Sequence, residues 1–281
     1  MSIKSLSFQE IKKKADKLRE LFQKFPSGSW SSFGSFIFKN EFAPLVGTIC
    51  DEQIRSEDAW DFPEWLNNKL RTFDLTKLLS VGLEQFLNEY LKGKWPSGMS
   101  EEDKQKYLKK TSRALHEALG LFQREKKTPI TMFENREYSS LEVYFMLRRI
   151  PGVGPKKANM ITRDFIYRSL DLSQSNPWFD QIKARFPNFR VVDEKLLDMP
   201  IDVHVVKVFN RITGRFQGRW KEELPNHIQD ILAFSKLAFP DMPAKLDQIF
   251  WTVGREYCHE RNPRCNECPI AEVCDSYRSM K

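Results

Sequence analysis

Apolar residues recur along most of this chain at the spacing of one helix face. Residues 6–25 carry Leu6, Phe8, Ile11, Ala15, Leu18, Phe22 and Phe25 with Lys and Glu between them, the stripe of an amphipathic helix. Pro26 ends the stripe, and the Ser/Gly/Phe-rich stretch 27–36 reads as a connector. A compact helical region is expected from near Phe42. Ser100 with Asp103 marks a helix start, after which Leu108, Leu115, Leu119 and Phe122 line up. Ser139 and Glu142 have the spacing of a capping box ahead of Leu141, Tyr144 and Phe145. Strand-like alternation is confined to residues 189–192. Asn176-Pro177, Pro187 and Pro200 break the rhythm, so a long connection or insertion is expected over 170–200. Helical periodicity resumes with Val205, Val208, Phe209 and Ile212, and again over 226–239. No internal repeat or low-complexity tract is present. The pattern predicts an all-α protein.

Composition narrows the class. A chain of 281 residues suggests two domains. Its 41% hydrophobic residues are enough to bury a core, which excludes wholesale disorder. No apolar run approaches the ~18 residues of a membrane span. Residues 1–5 lack a basic head followed by an apolar stretch, so no secretion signal is read and, for a prokaryotic chain, a cytoplasmic location is expected. Lys and Arg number 45 against 38 Asp and Glu, a net charge of +7 that favours a polyanionic partner, nucleic acid first.

The cysteines are unevenly spread. Cys50 stands alone in an apolar helical run, whereas Cys258, Cys265, Cys268 and Cys274 are spaced x6, x2 and x5, with Pro269 after the third. A disulfide scaffold would spread its thiols, so the cluster points to a metal site in a reducing compartment. Four thiolates suit tetrahedral zinc or an iron–sulfur cluster, and either would staple a segment too short to make its own core. Arg255, Arg261 and Arg264 surround this loop.

Two further motifs carry chemistry. Residues 150–159 read Ile-Pro-Gly-Val-Gly-Pro-Lys-Lys-Ala-Asn after a helical segment. Gly152 and Gly154 allow a tight turn and close approach of a ligand, and Pro155 suits a first helical position. The open N–H groups of such a helix start would face an anion such as a phosphate. Lys156 and Lys157 follow. As solvated lysines they need no explanation, but the positive end of a helix dipole favours the neutral, nucleophilic amine. Neighbours on a helix point ~100° apart, so one of the two is expected to face a shared pocket. The second motif is Asp202 in Met199-Pro200-Ile201-Asp202-Val203-His204, placed to cap a helix and to stabilise a developing cation. His204 has no partner at ligand spacing and is read as structural.

In this order the three motifs resemble the endonuclease III branch of the helix–hairpin–helix DNA glycosylases, on residues 150–159, 201–211 and 254–274. The motif-bearing resemblance covers the second half of the chain. It implies a [4Fe–4S] cluster on Cys258, Cys265, Cys268 and Cys274, leaving Cys50 dispensable. It places Lys156 on the family's catalytic lysine and Asp202 on its catalytic aspartate. Lys157 stands where the family usually has a smaller residue. Gln53, in Asp51-Glu52-Gln53-Ile54, resembles the glutamine that fills the gap left by a flipped nucleotide. Gly152, Val153 and Gly154, with Lys157, are the expected DNA contacts. The implied architecture is two helical domains flanking a DNA-binding groove: a six-helix barrel over 40–168, and a discontinuous domain of 1–39 and 169–281 closed by the cluster. The implied activity, in a monomer acting on double-stranded DNA with a damaged or mismatched base, is base excision followed by abasic-site strand cleavage through a lysine Schiff base. The alternatives are a monofunctional glycosylase in which Asp202 activates water, and a non-catalytic DNA-binding module. The segment between Arg163 and Met199 is longer than in compact members of that branch.

Overall fold

The computed structural model describes residues 6–25, 34–173, 175–214 and 220–278. The leader reading at residues 1–5, Pro26 and most of the 27–36 connector lie outside them. In chain order the helices are α1 (Phe8–Leu21), α2 (Ala43–Cys50), α3 (Ser56–Leu70), α4 (Leu75–Ser80), α5 (Leu83–Leu91), α6 (Glu101–Glu125), α7 (Ser140–Arg148), α8 (Pro155–Ser169), α9 (Pro177–Arg185), α10 (Val203–Ile212), α11 (Trp220–Ala238) and α12 (Lys245–Glu256). Three-residue strands β1 (Glu137–Ser139) and β2 (Arg190–Val192) pair in parallel, with Tyr138 opposite Val191. Among the described residues the regular structure is all helical apart from this ribbon. Among the described residues no helix is long and apolar enough to cross a membrane.

The chain divides into two compact units, residues 28–192 and residues 1–27 with 193–281. These boundaries differ from the expected breaks near 40 and 168, because residues 169–192 pack into the first unit. Asn176 and Pro177, read as breakers, instead start α9. The Asn176 side chain accepts from the N–H groups of Trp178 and Phe179, and Pro177 takes the first turn, where its missing N–H costs nothing. Trp178, Phe179, Ile182, Phe189 and Val191 are all buried. Phe189 meets Phe133 with ring centroids 5.1 Å apart, and Trp178 Nε1 donates to the Pro129 carbonyl at 3.1 Å.

In the unit 28–192, α2 is buried along its whole length and packs on α3 and α6. Gly47 makes the α3 approach possible, since a Cβ there would sit 2.6 Å from the Trp60 ring. Ser100 caps α6 by accepting from the Asp103 N–H, and Tyr107, Leu108, Leu115, Leu119 and Phe122 form its buried face. The capping box at Ser139 is half formed: its side chain makes no cap hydrogen bond, while Glu142 accepts from the Ser139 N–H and also pairs with Arg136.

The other unit is built on a core of Leu18, Val205, Phe209, Phe234, Ile249, Phe250 and Val253. Here Ser7 and Glu10 do form a complete capping box. Lys14, buried on α1, donates to the Val273 carbonyl at 2.7 Å and to Asp275 at 2.6 Å, tying α1 to the cysteine loop.

Candidate functional site

The hairpin joins α7 to α8. Val153 N–H donates to the Ile150 carbonyl at 3.0 Å, closing a turn in which Gly152 has φ +83°. That φ and the close fit both demand glycine, because a Cβ would lie 3.0 Å from Ala114 Cβ and 3.1 Å from Ile49 Cγ2. Gly154 is different. Its backbone is extended, and a Cβ there would meet nothing within 4 Å. Gly154 caps α8 and Pro155 begins it. Among the described residues no acceptor takes the N–H of Gly154, Lys156 or Lys157. These donors carry the helix's positive end into open space, the arrangement that binds an anion. At Val153 the side chain is buried and the N–H is spent on the turn. Arg148 braces the turn by donating to the Val153 carbonyl at 2.8 Å.

The two lysines part company. Lys156 is half-exposed at the helix start. Lys157 is 6% exposed. Its Nζ donates to the Ile49 carbonyl at 3.0 Å and to the Gly152 carbonyl at 3.4 Å, with a Glu52 carboxylate oxygen at 3.8 Å. Burial pulls the Lys157 amine below the usual lysine range, opposed by the Glu52 and Asp51 carboxylates. The cause of this shift at Lys157 is desolvation rather than a helix dipole. Of the two lysines, it is Lys157, expected as a DNA contact, whose ammonium is held by backbone carbonyls.

The Ile49 carbonyl belongs to the last turn of α2. The next carbonyl, of Cys50, accepts from Tyr107 Oη at 2.8 Å. Burial raises the Cys50 thiol to about 12, so it is an inert core group. The chain then turns through Glu52 to Gln53, which is exposed with φ 64°, a conformation few side-chain-bearing residues adopt. Gln53 is thus no buried structural glutamine.

Asp202 lies in the other unit as the N-cap of α10. Its Oδ1 accepts from the N–H groups of His204 at 2.8 Å and Val205 at 2.9 Å, fixing the carboxylate at a helix start. The C-terminal turn of the same helix reaches the cysteine loop. Arg211 donates to Cys258 Sγ at 3.1 Å and to the His259 carbonyl at 3.0 Å, and Cys274 Sγ donates back to the Arg211 carbonyl at 3.6 Å. The role of Arg211 was not extracted from the sequence, although it closes the matched string 201–211.

Cys258, Cys265, Cys268 and Cys274 line one pocket, walled by Val208, Ile212, Val253 and Ile270. Cys265 opens a short 3₁₀ turn and Cys268 follows it, so one turn of backbone presents two sulfurs. Among the described residues no three Cys, His, Asp or Glu side chains converge tightly enough for a single ion. Four cysteine sulfurs on one apolar-walled pocket are a donor set for either an iron–sulfur cluster or a single zinc. Burial raises the Cys268 thiol to about 11 and also raises Cys274, with the neighbouring cysteines adding to both.

Comparison with known proteins follows this geometry. Endonuclease III of Rickettsia conorii is 26% identical over 273 residues, covering 94% of this chain and 98% of the relative. That of Thermotoga maritima is 24% identical over 261 residues, covering 92% and 91%. The chain is endonuclease III-like. Among solved structures, a trapped covalent complex of endonuclease III with DNA matches this endonuclease III-like chain with a TM-score of 0.51 at 16% identity, covering 98% of this chain and 99% of that one. A thermostable thymine-DNA glycosylase matches with a TM-score of 0.52 at 12% identity, covering 96% and 98%. No family model matches the sequence.

Proposed function

We propose that this endonuclease III-like chain is a base-excision DNA glycosylase with abasic-site lyase activity, acting on double-stranded DNA with a damaged or mismatched base. The observation that carries the reading is the hairpin: three unpaired N–H groups at the start of α8, with one lysine, Lys156, accessible beside them. The curated relatives named endonuclease III support it over nearly their whole length.

In this reading Gly154 and the first N–H groups of α8 grip a backbone phosphate without regard to sequence. The target nucleotide leaves the stack at a cost of a few kcal/mol, least for a damaged or mispaired base. Gln53 fills the gap it leaves. The Lys156 amine attacks the sugar C1′ as the N-glycosidic bond breaks, and the departing base takes the bonding pair. The Asp202 carboxylate offsets the positive charge developing on the sugar and accepts the proton that the amine sheds. Ring opening gives a Schiff base, from which loss of a C2′ proton expels the 3′ phosphate.

Cys258, Cys265, Cys268 and Cys274 would hold a [4Fe–4S] cluster. When bound, it cross-links the loop to the end of α12 and supplies no step of the excision.

Borohydride reduction on lesion and abasic duplexes tests the reading. Wild type and Lys157→Met trap a covalent adduct, whereas Lys156→Ala binds DNA without trapping. Base release without trapping in wild type would replace the lyase by a water-using glycosylase. Retardation of every duplex with no base release would leave only a DNA-binding module.

A further inference from the structure

We infer that Lys157 is a positioning residue that locks the C-terminal end of α2, and with it the loop presenting Gln53, to the hairpin turn at Gly152. The role assigned to Gln53 rests on the function proposed above; the lock itself rests on contacts within residues 28–192.

Two backbone segments far apart in sequence meet at one ammonium. Lys157 Nζ bonds the Ile49 carbonyl at 3.0 Å and the Gly152 carbonyl at 3.4 Å. The first is among the last carbonyls of α2, which no later turn of that helix can pair. A buried cation at a helix C-terminus is opposite in sign to the partial charge there, which favours this placement. Side chains close the same junction, since Ile49 fills the space where a Gly152 Cβ would go. Tyr107 holds the neighbouring Cys50 carbonyl from α6. Glu52 stands between Lys157 at 3.8 Å and Lys110 at 2.5 Å, so the first residues of the loop are fixed too. Gln53 comes next in its left-handed conformation, which needs such support to persist. The phosphate-gripping turn and the gap-filling loop are therefore one mechanical piece. A generic buried lysine would not join these two segments.

The lock is tested with Lys157→Met, which keeps length and loses the charge, and with Lys157→Gln, which keeps a donor. Amide exchange in the cluster-loaded protein without DNA comes first. Exchange over residues 50–54 should accelerate in Lys157→Met, and less in Lys157→Gln, while residues 160–168 stay unchanged. Binding is then measured on an undamaged duplex and on one carrying a tetrahydrofuran abasic analogue opposite 2-aminopurine. Lys157→Met should keep its affinity for undamaged DNA and lose about tenfold on the analogue, the scale of one charge-assisted hydrogen bond. The 2-aminopurine response should fall with it. In a Gln53→Ala background the same substitution should cost nothing further on the analogue. Unchanged exchange at 50–54, or an equal loss in the Gln53→Ala background, would overturn the lock. Wild-type protein with no preference for the analogue would instead sink the proposed function, and the exchange measurement would still decide the lock. If Lys157→Met does not fold, Lys157→Gln decides by the same criteria.

Discussion

Gly254 lies directly against His204: a Cβ on the glycine would sit 2.6 Å from the histidine Cβ and 3.0 Å from its Cα. α10 and α12 cross there with no side chain between them. α10 begins at Asp202 and carries Arg211 in its last turn, while α12 delivers Cys258. One crossing therefore holds both the capped carboxylate and a cluster ligand. Gly254→Ala should destabilise by about 1–3 kcal/mol through overpacking, read as a lower Tm together with lower iron content. Gly120→Ala on α6 is the control. Its Cβ meets only the flexible end of Arg124, so it should be neutral or stabilise by about 0.5–1 kcal/mol.

The hairpin glycines should separate in experiment. Gly152→Ala meets both a positive φ and the Ile49 side chain, so it should cost about 1–3 kcal/mol of stability by denaturant titration. Gly154→Ala has room and ordinary backbone angles, so its Tm should stay put. Its methyl group instead occupies the space an anion needs, and affinity for all duplexes should drop alike. A Gly154→Ala protein that binds undamaged DNA normally would remove the phosphate seat from this position.

Asp202 combines a cap and a charge, and two substitutions divide them. Asp202→Asn retains an acceptor for the His204 and Val205 N–H groups and should melt near wild type. Asp202→Ala should lose about 1 kcal/mol as well. Both should be equally slow in base release, since neither carries a negative charge. Single-turnover excision beside thermal melts checks this.

Removing any of the four clustered cysteines should bleach the protein. Anaerobically purified wild type is expected to be brown, with broad absorbance near ~400 nm and iron in excess over zinc. Serine at 258, 265, 268 or 274 should abolish that colour, and Cys50→Ala should keep it. Because burial holds Cys268 up to about 11, that thiol is protonated at neutral pH in the metal-free loop, and its binding a metal as thiolate must release a proton. Reconstitution should therefore be more complete at higher pH, and acid should strip the iron. Colourless protein holding one zinc would refute the cluster.

Lys157 gives a pH signature of its own. Its folded-state pKa is lowered by burial, so between that value and the ordinary lysine value of 10.5 the unfolded chain holds a proton the folded chain has shed. Stability contributed by this residue then rises with pH through that window. Below the window the buried ammonium keeps its desolvation cost, offset in part by the Ile49 and Gly152 carbonyls and by Glu52. Urea unfolding of wild type minus Lys157→Met, compared at neutral and alkaline pH, should show the difference shifting in favour of wild type.

Much of this was legible because single residues carried it. The stripe from Leu108 to Phe122, the cap at Asp202 and the cysteine spacing are local patterns with local causes. What escaped notice depends on tertiary contacts. Asn176-Pro177 looks the same whether it breaks a helix or starts one, and only the aromatic cluster around Phe133 and Phe165 gives α9 a surface to bury. Lys157 was indistinguishable from a solvated lysine until Ile49, more than 100 residues earlier, supplied the carbonyl. Arg211 faced the same difficulty, since a guanidinium seeking a thiol sulfur leaves no periodic trace.

The ion pair and carbonyl contact made by Lys14 span 259 positions to Val273 and 261 to Asp275. During synthesis α1 therefore emerges early with an apolar stripe and no surface to cover it, while residues 28–192 can complete their own contacts meanwhile. Only when the ribosome has passed residue 275 does α1 find the cysteine loop. Nascent chains halted before α11, on which α1 packs, would display Leu18 and Leu21 to chaperones and proteases. The unit of residues 1–27 and 193–281 is thus completed only after residues 28–192 have been made.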